Sequence, residues 1–231
     1  MSVQEQFAEV RDALPVSFEL ASLRPKSITP NKLVRRTRIL KRLLDLGIAL
    51  LLLLFLSPAL IAVAVLIKFD SRGPALFRQK RLGLNGRPFG IFKFRTMHVV
   101  EEDEAVVQAE PGDPRITRIG SFLRASSIDE LPQLLNVILG QMSLIGPRPH
   151  AIAHDLHYAK LIPEYALRQS VKPGITGWAQ VNGCRGGTPT LDLMQKRVDL
   201  DLWYAQNISI ALDIFILART PFELLRNRNV Y

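Results

Sequence analysis

Cysteine is almost absent from this chain of 231 residues, which contains only Cys184. A single cysteine cannot form an internal disulfide, so the chain fits a reducing compartment. The glycine-rich signatures G-x-G-x-x-G and G-x-x-x-x-G-K-[ST] are also missing from the sequence, which leaves a Rossmann or P-loop nucleotide site without support. No motif of the known DNA- or RNA-binding domains occurs.

Acidic residues are scarce in one part of the chain. The formal net charge is +9, and residues 32–95 carry 14 lysines and arginines against two acidic residues. That region therefore has a local charge of +12, and the remainder sums to −3. A basic collar of this kind suits anionic lipid head groups and a phosphate-bearing substrate. Because the rest of the chain is acidic, we predict no nucleic-acid partner.

The longest apolar run covers residues 43–67 and is interrupted by Ser57 and Pro58. As a straight helix its 25 residues would measure about 38 Å, against a hydrocarbon core of about 30 Å. Pro58 has no N–H and leaves the Leu54 carbonyl without its helical donor, so a kink is expected there. The Ser57 hydroxyl can donate to such a carbonyl.

The charges that flank this run are basic on both sides, and each arm of the run is too short to cross a membrane alone. The positive-inside rule therefore places both ends on the cytoplasmic side. We predict a re-entrant hairpin of two helices broken at Ser57 and Pro58, and a kinked single span is the alternative. Asp45 is expected to pair with Lys41, one helical turn before it.

The rest of the chain predicts a predominantly helical α+β domain. Short strands around a tight turn at Asn85 and Gly86 are expected near its start. The other predicted segments are a helix over residues 121–140, a helix over 150–170, a loop over 172–183 and mainly helix over 190–230. The apolar stretch at residues 208–217 fits either the membrane interface or the core.

Asp129 and Glu130 are the strongest candidates for chemistry. Pro132 requires the following helix to begin near Asp129, which can then be a plain N-cap. In the alternative interpretation Asp129, kept ionised by the helix N-terminus, attacks phosphorus. That chemistry needs Mg²⁺ and basic side chains to neutralise the phosphates. The candidate cations are Lys93, Arg95, Arg124, Arg148 and Arg185.

Two other groups of residues are weaker candidates for a metal site. His150, His154 and His157 would line one helical face near Asp155, but no convincing fourth ligand accompanies them. The four consecutive acids at residues 101–104 cannot converge on one ion without an unusual backbone, so we interpret them as a solvated loop.

Several long motifs carry a family resemblance. They are KRLLDLGIALLLLLFLSPALIAVAVLIKFDSRGPALFRQKRLG, KFRTM, SSIDELPQLLNVILGQMSLIGPRPHA and VKPGITGWAQVNG, and the resemblance runs from residue 41 to residue 231. In this combination the chain resembles the bacterial sugar transferases, the monotopic phosphoglycosyl transferases. Within them it is most similar to the undecaprenyl-phosphate glucose or galactose phosphotransferases that initiate exopolysaccharide synthesis.

The resemblance implies a two-step transfer with Asp129 as nucleophile. Asp129 would attack the β-phosphate of a UDP-sugar, release UMP and carry the phosphosugar until undecaprenyl phosphate accepts it, with Glu130 in a supporting role. Mg²⁺ would bridge Asp129 and the diphosphate. Ser57 and Pro58 match the break of the family's re-entrant helix. Positions matched to the phosphates and nucleotide are Lys93, Arg95, Arg124, Arg148, Gln180, Asn182 and Arg185. Cys184 replaces a usually bulky residue.

The resemblance also implies a location and partners. We expect a mobile arm over residues 1–34, the basic collar and hairpin over 35–70, and a cytoplasmic catalytic domain with membrane-associated helices over 71–231. The expected location is the bacterial inner membrane, and the expected partners are UDP-glucose, undecaprenyl phosphate and inner-membrane lipids. A homo-oligomer of the chain is left open as a further partner. The alternatives are transfer of galactose 1-phosphate and a non-catalytic membrane scaffold of a polysaccharide assembly complex.

Overall fold

The computed structural model describes residues 32–98, 113–188 and 190–226. The predicted mobile arm and the acidic loop at residues 101–104 lie almost entirely outside these ranges. Over the described ranges the chain is an α+β protein rich in helix, as predicted, with two small two-stranded sheets.

Helix α1 is the longest element and covers Lys32–Asp70, 39 residues with Pro58 inside. The helix is not interrupted at Pro58, so the two predicted arms form one continuous helix. The Ser57 hydroxyl donates to the Leu54 carbonyl oxygen over 2.9 Å. Ser57 therefore supplies the donor that Pro58 lacks, which lets the helix continue through the proline.

An antiparallel hairpin follows α1, with strands β1 (Leu76–Leu82) and β2 (Pro88–Phe94). The turn between them contains Asn85 at φ 56° and Gly86 at φ 70°. These left-handed conformations are what asparagine and glycine adopt most readily, so the predicted turn is confirmed at this position.

The remainder of the described chain alternates short helices with two short strands. In order, the elements are α2 (Arg118–Ser126), a 3-10 turn (Ile128–Glu130), α3 (Gln133–Ile138), β3 (Ser143–Ile145), α4 (Ile152–Leu161), a 3-10 turn (Tyr165–Ser170), β4 (Gly174–Thr176), α5 (Trp178–Val181), α6 (Leu191–Gln206) and α7 (Ile210–Arg226).

Two sequence predictions need correction here. The predicted helix over residues 121–140 is split, because Ser127 adopts a left-handed conformation (φ 57°) that ends α2. The predicted loop over 172–183 contains β4 and α5, and β4 pairs in parallel with β3. A Cβ on Gly174 would lie 2.1 Å from the Gly146 nitrogen, so glycine allows this close approach.

The hydrophobic core includes side chains from both halves of α1. Ala49, before Pro58, is completely buried in a cluster with Val137 of α3 and Met142. Ile67, after Pro58, is buried in a second cluster with Phe94 and Leu123. Residues on either side of the proline therefore pack against the same globular body.

Polar contacts fix the N-terminal half of α1 to this body. Arg42 donates to the carbonyl oxygens of Val137 (2.6 Å) and Ile138 (2.9 Å), which lie at the C-terminal end of α3. The Asp45 carboxylate accepts hydrogen bonds from β3, from the Ser143 hydroxyl (2.8 Å) and the Leu144 N–H (3.1 Å).

The predicted pairing of Lys41 with Asp45 is wrong. The Lys41 ammonium lies 2.6 Å from the Asp213 carboxylate on α7 instead. Asp45 is occupied by β3, so the distant carboxylate becomes the available partner for Lys41.

The C-terminal end of α1 is also held by the domain. Arg95, which directly follows β2, is 5% exposed and donates to the carbonyl oxygens of Ser71 (2.8 Å) and Arg72. The Asp70 carboxylate accepts a hydrogen bond from the Ile119 N–H over 3.3 Å. Arg95 therefore caps α1, since these carbonyls have no partners within the helix.

The outer face of α1 is apolar and exposed. Within the described residues α1 is the one helix long and apolar enough to cross a membrane, and only 6% of its most apolar 18-residue window is buried. A helix in the core of a soluble protein would be mostly buried, so this exposure favours contact with lipid. The exposed large apolar residues of α1 are Ile39, Leu40, Leu43, Leu44, Leu50, Leu51, Leu52, Leu54, Phe55, Ile61, Val65, Leu66 and Phe69.

Helix α7 packs on the core with one face and exposes the other. Ile216 and Asp213 are buried, and Tyr204 donates to the Asp213 carboxylate over 2.7 Å. Phe215 and Phe222 are exposed by half or more. The apolar stretch at residues 208–217 thus contributes to the core, while an apolar face remains beside that of α1.

Candidate active site

A cavity of about 330 Å³ lies between the turn that carries Asp129 and Glu130 and the helices α1 and α7. Its apolar wall includes Leu52 of α1 and Leu217 of α7. Its charged lining residues are Lys93, Arg124, Asp129, Glu130, Arg148, Arg185 and Glu223. Four cations and three carboxylates therefore face one cavity, which suits a substrate with several negative charges.

Local backbone geometry directs Asp129 and Glu130 into this cavity. Ser127 ends α2, the 3-10 turn follows at once, and α3 begins only at Gln133. Neither helix α3 nor the 3-10 turn has a side-chain cap, so the interpretation of Asp129 as an N-cap is wrong. Its carboxylate accepts no hydrogen bond from the described residues, which leaves its oxygens available to a ligand.

Glu130 is fully engaged by two cations. One carboxylate oxygen accepts from Lys93 (2.9 Å) and from Arg148 (2.5 Å), and the other accepts from Arg148 (2.9 Å). Burial alone would raise the pKa of Glu130, but Arg148 and Lys93 together hold it well below its ordinary value. Glu130 is therefore ionised at neutral pH, and its carboxylate orients the side chains of Lys93 and Arg148.

Asp129 has the opposite electrostatic environment. Burial raises its pKa to about 6, and the neighbouring negative charge of Glu130 adds to the shift, although Lys93 and Arg148 oppose it. Above that pH the carboxylate is ionised yet poorly solvated, and it forms no hydrogen bond with the described residues. A partly desolvated, unbonded carboxylate is a better nucleophile than one that water or an arginine holds.

Arg185 and Gln180 also reach the cavity, as predicted from the sequence, and so does Arg124. Arg185 donates to the Ser127 hydroxyl over 2.6 Å and so contacts the residue that precedes the 3-10 turn. Gln180 donates to the Ile175 carbonyl (3.2 Å), while its own side-chain oxygen is buried with no partner among the described residues.

The structure does not bring every predicted residue to the cavity. Arg95 caps α1, as described above, so its guanidinium is already used. Asn182 donates to the Trp178 carbonyl over 2.8 Å and ends α5. Ser57 lies on the exposed part of α1, where its contact is with its own helix. Cys184 is buried, and burial raises the pKa of its thiol.

Sequence reasoning missed the contribution of α7 to the cavity. Thr220 and Glu223 line it, and the Thr220 hydroxyl lies 2.8 Å from that of Thr176 at the end of β4. These two α7 residues are three apart and share a helical face. The spacing of these two polar residues could have predicted a polar face on α7. The apolar residues around them led us to interpret the segment only as a core or membrane-interface helix.

The three histidines of the predicted cluster do not converge on one point, and His150 belongs to a buried hydrogen-bond network. Among the described residues no group of three histidine, cysteine or acidic side chains is placed to hold a metal ion. His150 precedes α4 rather than lying on it, and its Nδ1 is 2.6 Å from the Tyr165 hydroxyl. The Asp129 carboxylate lines the cavity without a hydrogen-bond partner among the described residues, which fits Mg²⁺, because that ion commonly binds one or two carboxylates plus substrate phosphates.

Comparison with known proteins identifies the family. The family model described as "Bacterial sugar transferase" matches residues 36–227. The chain belongs to the bacterial sugar transferase family. This confirms the family that the sequence motifs predicted, and the match includes α1, the hairpin, the Asp129 turn and α7.

Several curated proteins are similar to the chain over most of its length. A protein of Escherichia coli (strain K12) named UDP-glucose:undecaprenyl-phosphate glucose-1-phosphate transferase is 51% identical over 194 residues, covering 84% of this chain and 42% of the relative. A Caulobacter vibrioides protein of the same name is 52% identical over 215 residues, covering 93% and 79%.

A third relative, from Rhizobium leguminosarum bv. phaseoli, is named "Exopolysaccharide production protein PSS". It is 47% identical over 195 residues, covering 82% of this chain and 98% of the relative. The chain thus spans about two fifths of the Escherichia coli protein and matches nearly the whole of the Rhizobium protein.

Proposed function

We propose that the protein transfers glucose 1-phosphate from UDP-glucose to undecaprenyl phosphate and releases UMP, as the first membrane step of exopolysaccharide synthesis. The names of the Escherichia coli and Caulobacter relatives support this substrate pair, and the name of the Rhizobium relative supports this process. The observation that carries the proposal is the unbonded carboxylate of Asp129 in a cavity whose lining includes Lys93, Arg124, Arg148 and Arg185.

The first step is attack by an Asp129 oxygen on the β-phosphorus of the donor. A bond forms between that oxygen and phosphorus, and the bond from phosphorus to the oxygen that bridges the two phosphates breaks. The bridging oxygen leaves with the α-phosphate as UMP. The nucleophile needs no general base, because the Asp129 carboxylate is already ionised above pH 6 or so. The product is a glucosyl phosphate joined to Asp129 as an acyl phosphate, a mixed carboxylic–phosphoric anhydride.

The second step transfers the phosphosugar to the lipid. A phosphate oxygen of undecaprenyl phosphate attacks the same phosphorus, and the bond to Asp129 breaks and regenerates the carboxylate. Glu130 keeps Lys93 and Arg148 beside the reacting phosphates, where their charges stabilise the transition state. Mg²⁺ bound by Asp129 and the diphosphate would neutralise phosphate charge and reduce its repulsion of the carboxylate.

The packing of α1 supports the re-entrant topology at the bacterial inner membrane. Ala49 and Ile67, on opposite sides of Pro58, are both buried in one globular body. A helix that crossed the bilayer would carry its two ends to opposite sides, where one domain could not hold both. With basic flanks on both ends, the positive-inside rule then places the catalytic domain on the cytoplasmic face.

A cysteine-labelling experiment tests this topology. Arg38→Cys and Arg72→Cys, each in a Cys184→Ser background, place exposed thiols on either side of the apolar run. Both should resist an impermeant thiol reagent in intact cells and react after permeabilisation, because both would face the cytoplasm. Labelling of either position in intact cells would instead support the kinked single span.

Donor identity is tested with purified protein, undecaprenyl phosphate, Mg²⁺ and a panel of UDP-sugars, with UMP release as the measurement. We expect release with UDP-glucose to exceed that with every other donor by at least tenfold, roughly the effect of a lost hydrogen bond to a charged group. A preference for UDP-galactose would establish the galactose 1-phosphate alternative. No release from any donor would favour the non-catalytic scaffold.

A further inference from the structure

A buried arginine supports the backbone of Arg148 from behind the cavity. Arg168, in the second 3-10 turn, is 3% exposed and does not line the cavity. Its guanidinium donates to the Arg148 carbonyl oxygen over 2.8 Å and pairs with the Asp201 carboxylate at 2.7 Å. The side chain of Arg148 points the other way, to Glu130. Arg168 therefore holds the backbone in place at Arg148, the residue whose side chain pairs with Glu130.

A second buried arginine supports the loop that carries Arg185. Arg197 of α6 is 5% exposed and donates to the carbonyl oxygens of Cys184 (2.9 Å) and Gly186. These two carbonyls flank Arg185, whose guanidinium reaches the Ser127 hydroxyl at the cavity. The loop contains no helix or strand, so Arg197 supplies the fixed point that secondary structure would otherwise provide.

His150 lies between these two arginines. Its Nδ1 is 2.9 Å from a guanidinium nitrogen of Arg168, and its Nε2 is 3.3 Å from one of Arg197. Burial first, and then the charges of Arg168 and Arg197, hold the pKa of His150 well below its ordinary value. A neutral imidazole has one acceptor nitrogen for these donors, whereas an imidazolium has none and adds a third positive charge.

Burying this group of charged and polar side chains carries a large desolvation cost. Asp201 and Asp155 balance the arginines, and Tyr165 donates to Asp155 over 2.7 Å, yet a well-packed apolar cluster would cost less desolvation energy. Tyr165 gives its proton to Asp155, so Nδ1 of His150 donates to the Tyr165 oxygen and Nε2 remains to accept from Arg197. The loop of Arg148, which contains His150, is thereby tied through Arg197 to the loop of Arg185, which is distant in sequence. Those loops supply Arg148 and Arg185 to the same cavity.

We propose that His150 and Arg197 are positioning residues, which fix Arg185 relative to Arg148 and so set the spacing of two guanidiniums that bind the donor diphosphate. The inference rests on the proposed function and extends it to residues that never touch the substrate. Arg185 contacts the bound donor, so its misplacement weakens donor binding. Asp129 and the ion pairs of Glu130 with Lys93 and Arg148 are not altered by these substitutions, so the chemical step is preserved.

A double-mutant cycle tests this coupling. Arg197→Met leaves the carbonyls of Cys184 and Gly186 without their donor, and it should raise the KM for UDP-glucose about tenfold while kcat changes less than about threefold. In an Arg185→Met background the same substitution should change KM by less than about twofold, because the residue it positions is gone. His150→Phe, which keeps a planar ring but removes the acceptor, should behave in the same way.

Controls separate positioning from loss of folding. Lys196→Met, an exposed neighbour of Arg197 with the same loss of charge, should leave KM unchanged. Arg197→Lys keeps one donor and should restore KM part of the way toward that of the unsubstituted protein, and it replaces Arg197→Met in the cycle if that variant unfolds. Thermal unfolding of each variant accompanies the kinetics.

The outcomes are distinguishable. If Arg197→Met multiplies the KM effect of Arg185→Met instead of being masked by it, or if it lowers kcat and leaves KM unchanged, the positioning role is overturned while the proposed function stands. If the unsubstituted protein releases no UMP from any UDP-sugar, the proposed function fails and this inference fails with it.

Discussion

We expect the Asp129→Asn protein to form no covalent adduct and to lose at least about 10⁴-fold in turnover, a loss of the size seen when a nucleophile is removed. The unsubstituted protein, mixed with UDP-glucose and Mg²⁺ but without undecaprenyl phosphate, should accumulate a hexose-phosphate adduct. Intact-protein mass spectrometry detects that increment, and peptide mapping should locate it on Asp129. The carboxamide keeps the shape of the side chain and removes the attacking oxygen.

Glu130→Gln is the matched control for this experiment. The substitution removes the charge that orients Lys93 and Arg148, but it leaves the Asp129 oxygens in place. Turnover should fall strongly, and part of the adduct formation should persist. An adduct in Asp129→Asn, or normal turnover by that variant, would reject the nucleophile and support direct attack by the lipid phosphate on the donor.

Removal of divalent cations is expected to abolish UMP release. The Asp129 carboxylate and the donor diphosphate are both anionic, and repulsion between them opposes the attack. Among the described residues Lys93 and Arg148 are already committed to Glu130, so they cannot fully neutralise an incoming diphosphate. EDTA should therefore eliminate both UMP release and the adduct, and added Mg²⁺ or Mn²⁺ should restore both.

Two controls accompany the chelation experiment. EDTA saturated with Mg²⁺ should have no effect, which excludes inhibition by the chelator itself. Full activity in excess free chelator would refute the metal requirement. Restoration by Zn²⁺ alone would contradict the Asp129 site and redirect attention to His150, His154 and His157.

Features with a local signal were predictable from the sequence. Asn85 and Gly86 specify a turn through their own backbone preferences, and the structure has the turn at that position. Pro58 and Ser57 likewise act within one helical turn, and the predicted hydrogen bond to Leu54 is present. Asp129 and Glu130 were recognisable as a candidate pair from their residue types and from the proline that follows, and both line the cavity in the structure.

Features set by tertiary contacts were not predictable. Lys41 has a carboxylate one helical turn away in Asp45, and sequence distance alone favours that pair. The structure instead joins Lys41 to Asp213, which is 172 residues distant. From the sequence, Arg95 was predicted to bind phosphate because it lies in a basic region. The structure shows that it instead donates to the Ser71 carbonyl at the C-terminal end of α1.

Helix α1 contributes directly to the cavity as well as providing an apolar surface. Leu52 forms part of the cavity wall, and Arg42 holds the end of α3, the helix that follows the Asp129 turn. A tilt of α1 would therefore move the cavity wall at Leu52 and, at the same time, the contact of Arg42 with the helix that follows the Asp129 turn. Membrane helices adapt to bilayer thickness in part by tilting. With α1 in the bilayer, as proposed, the thickness of the surrounding lipid would therefore influence the shape of the cavity.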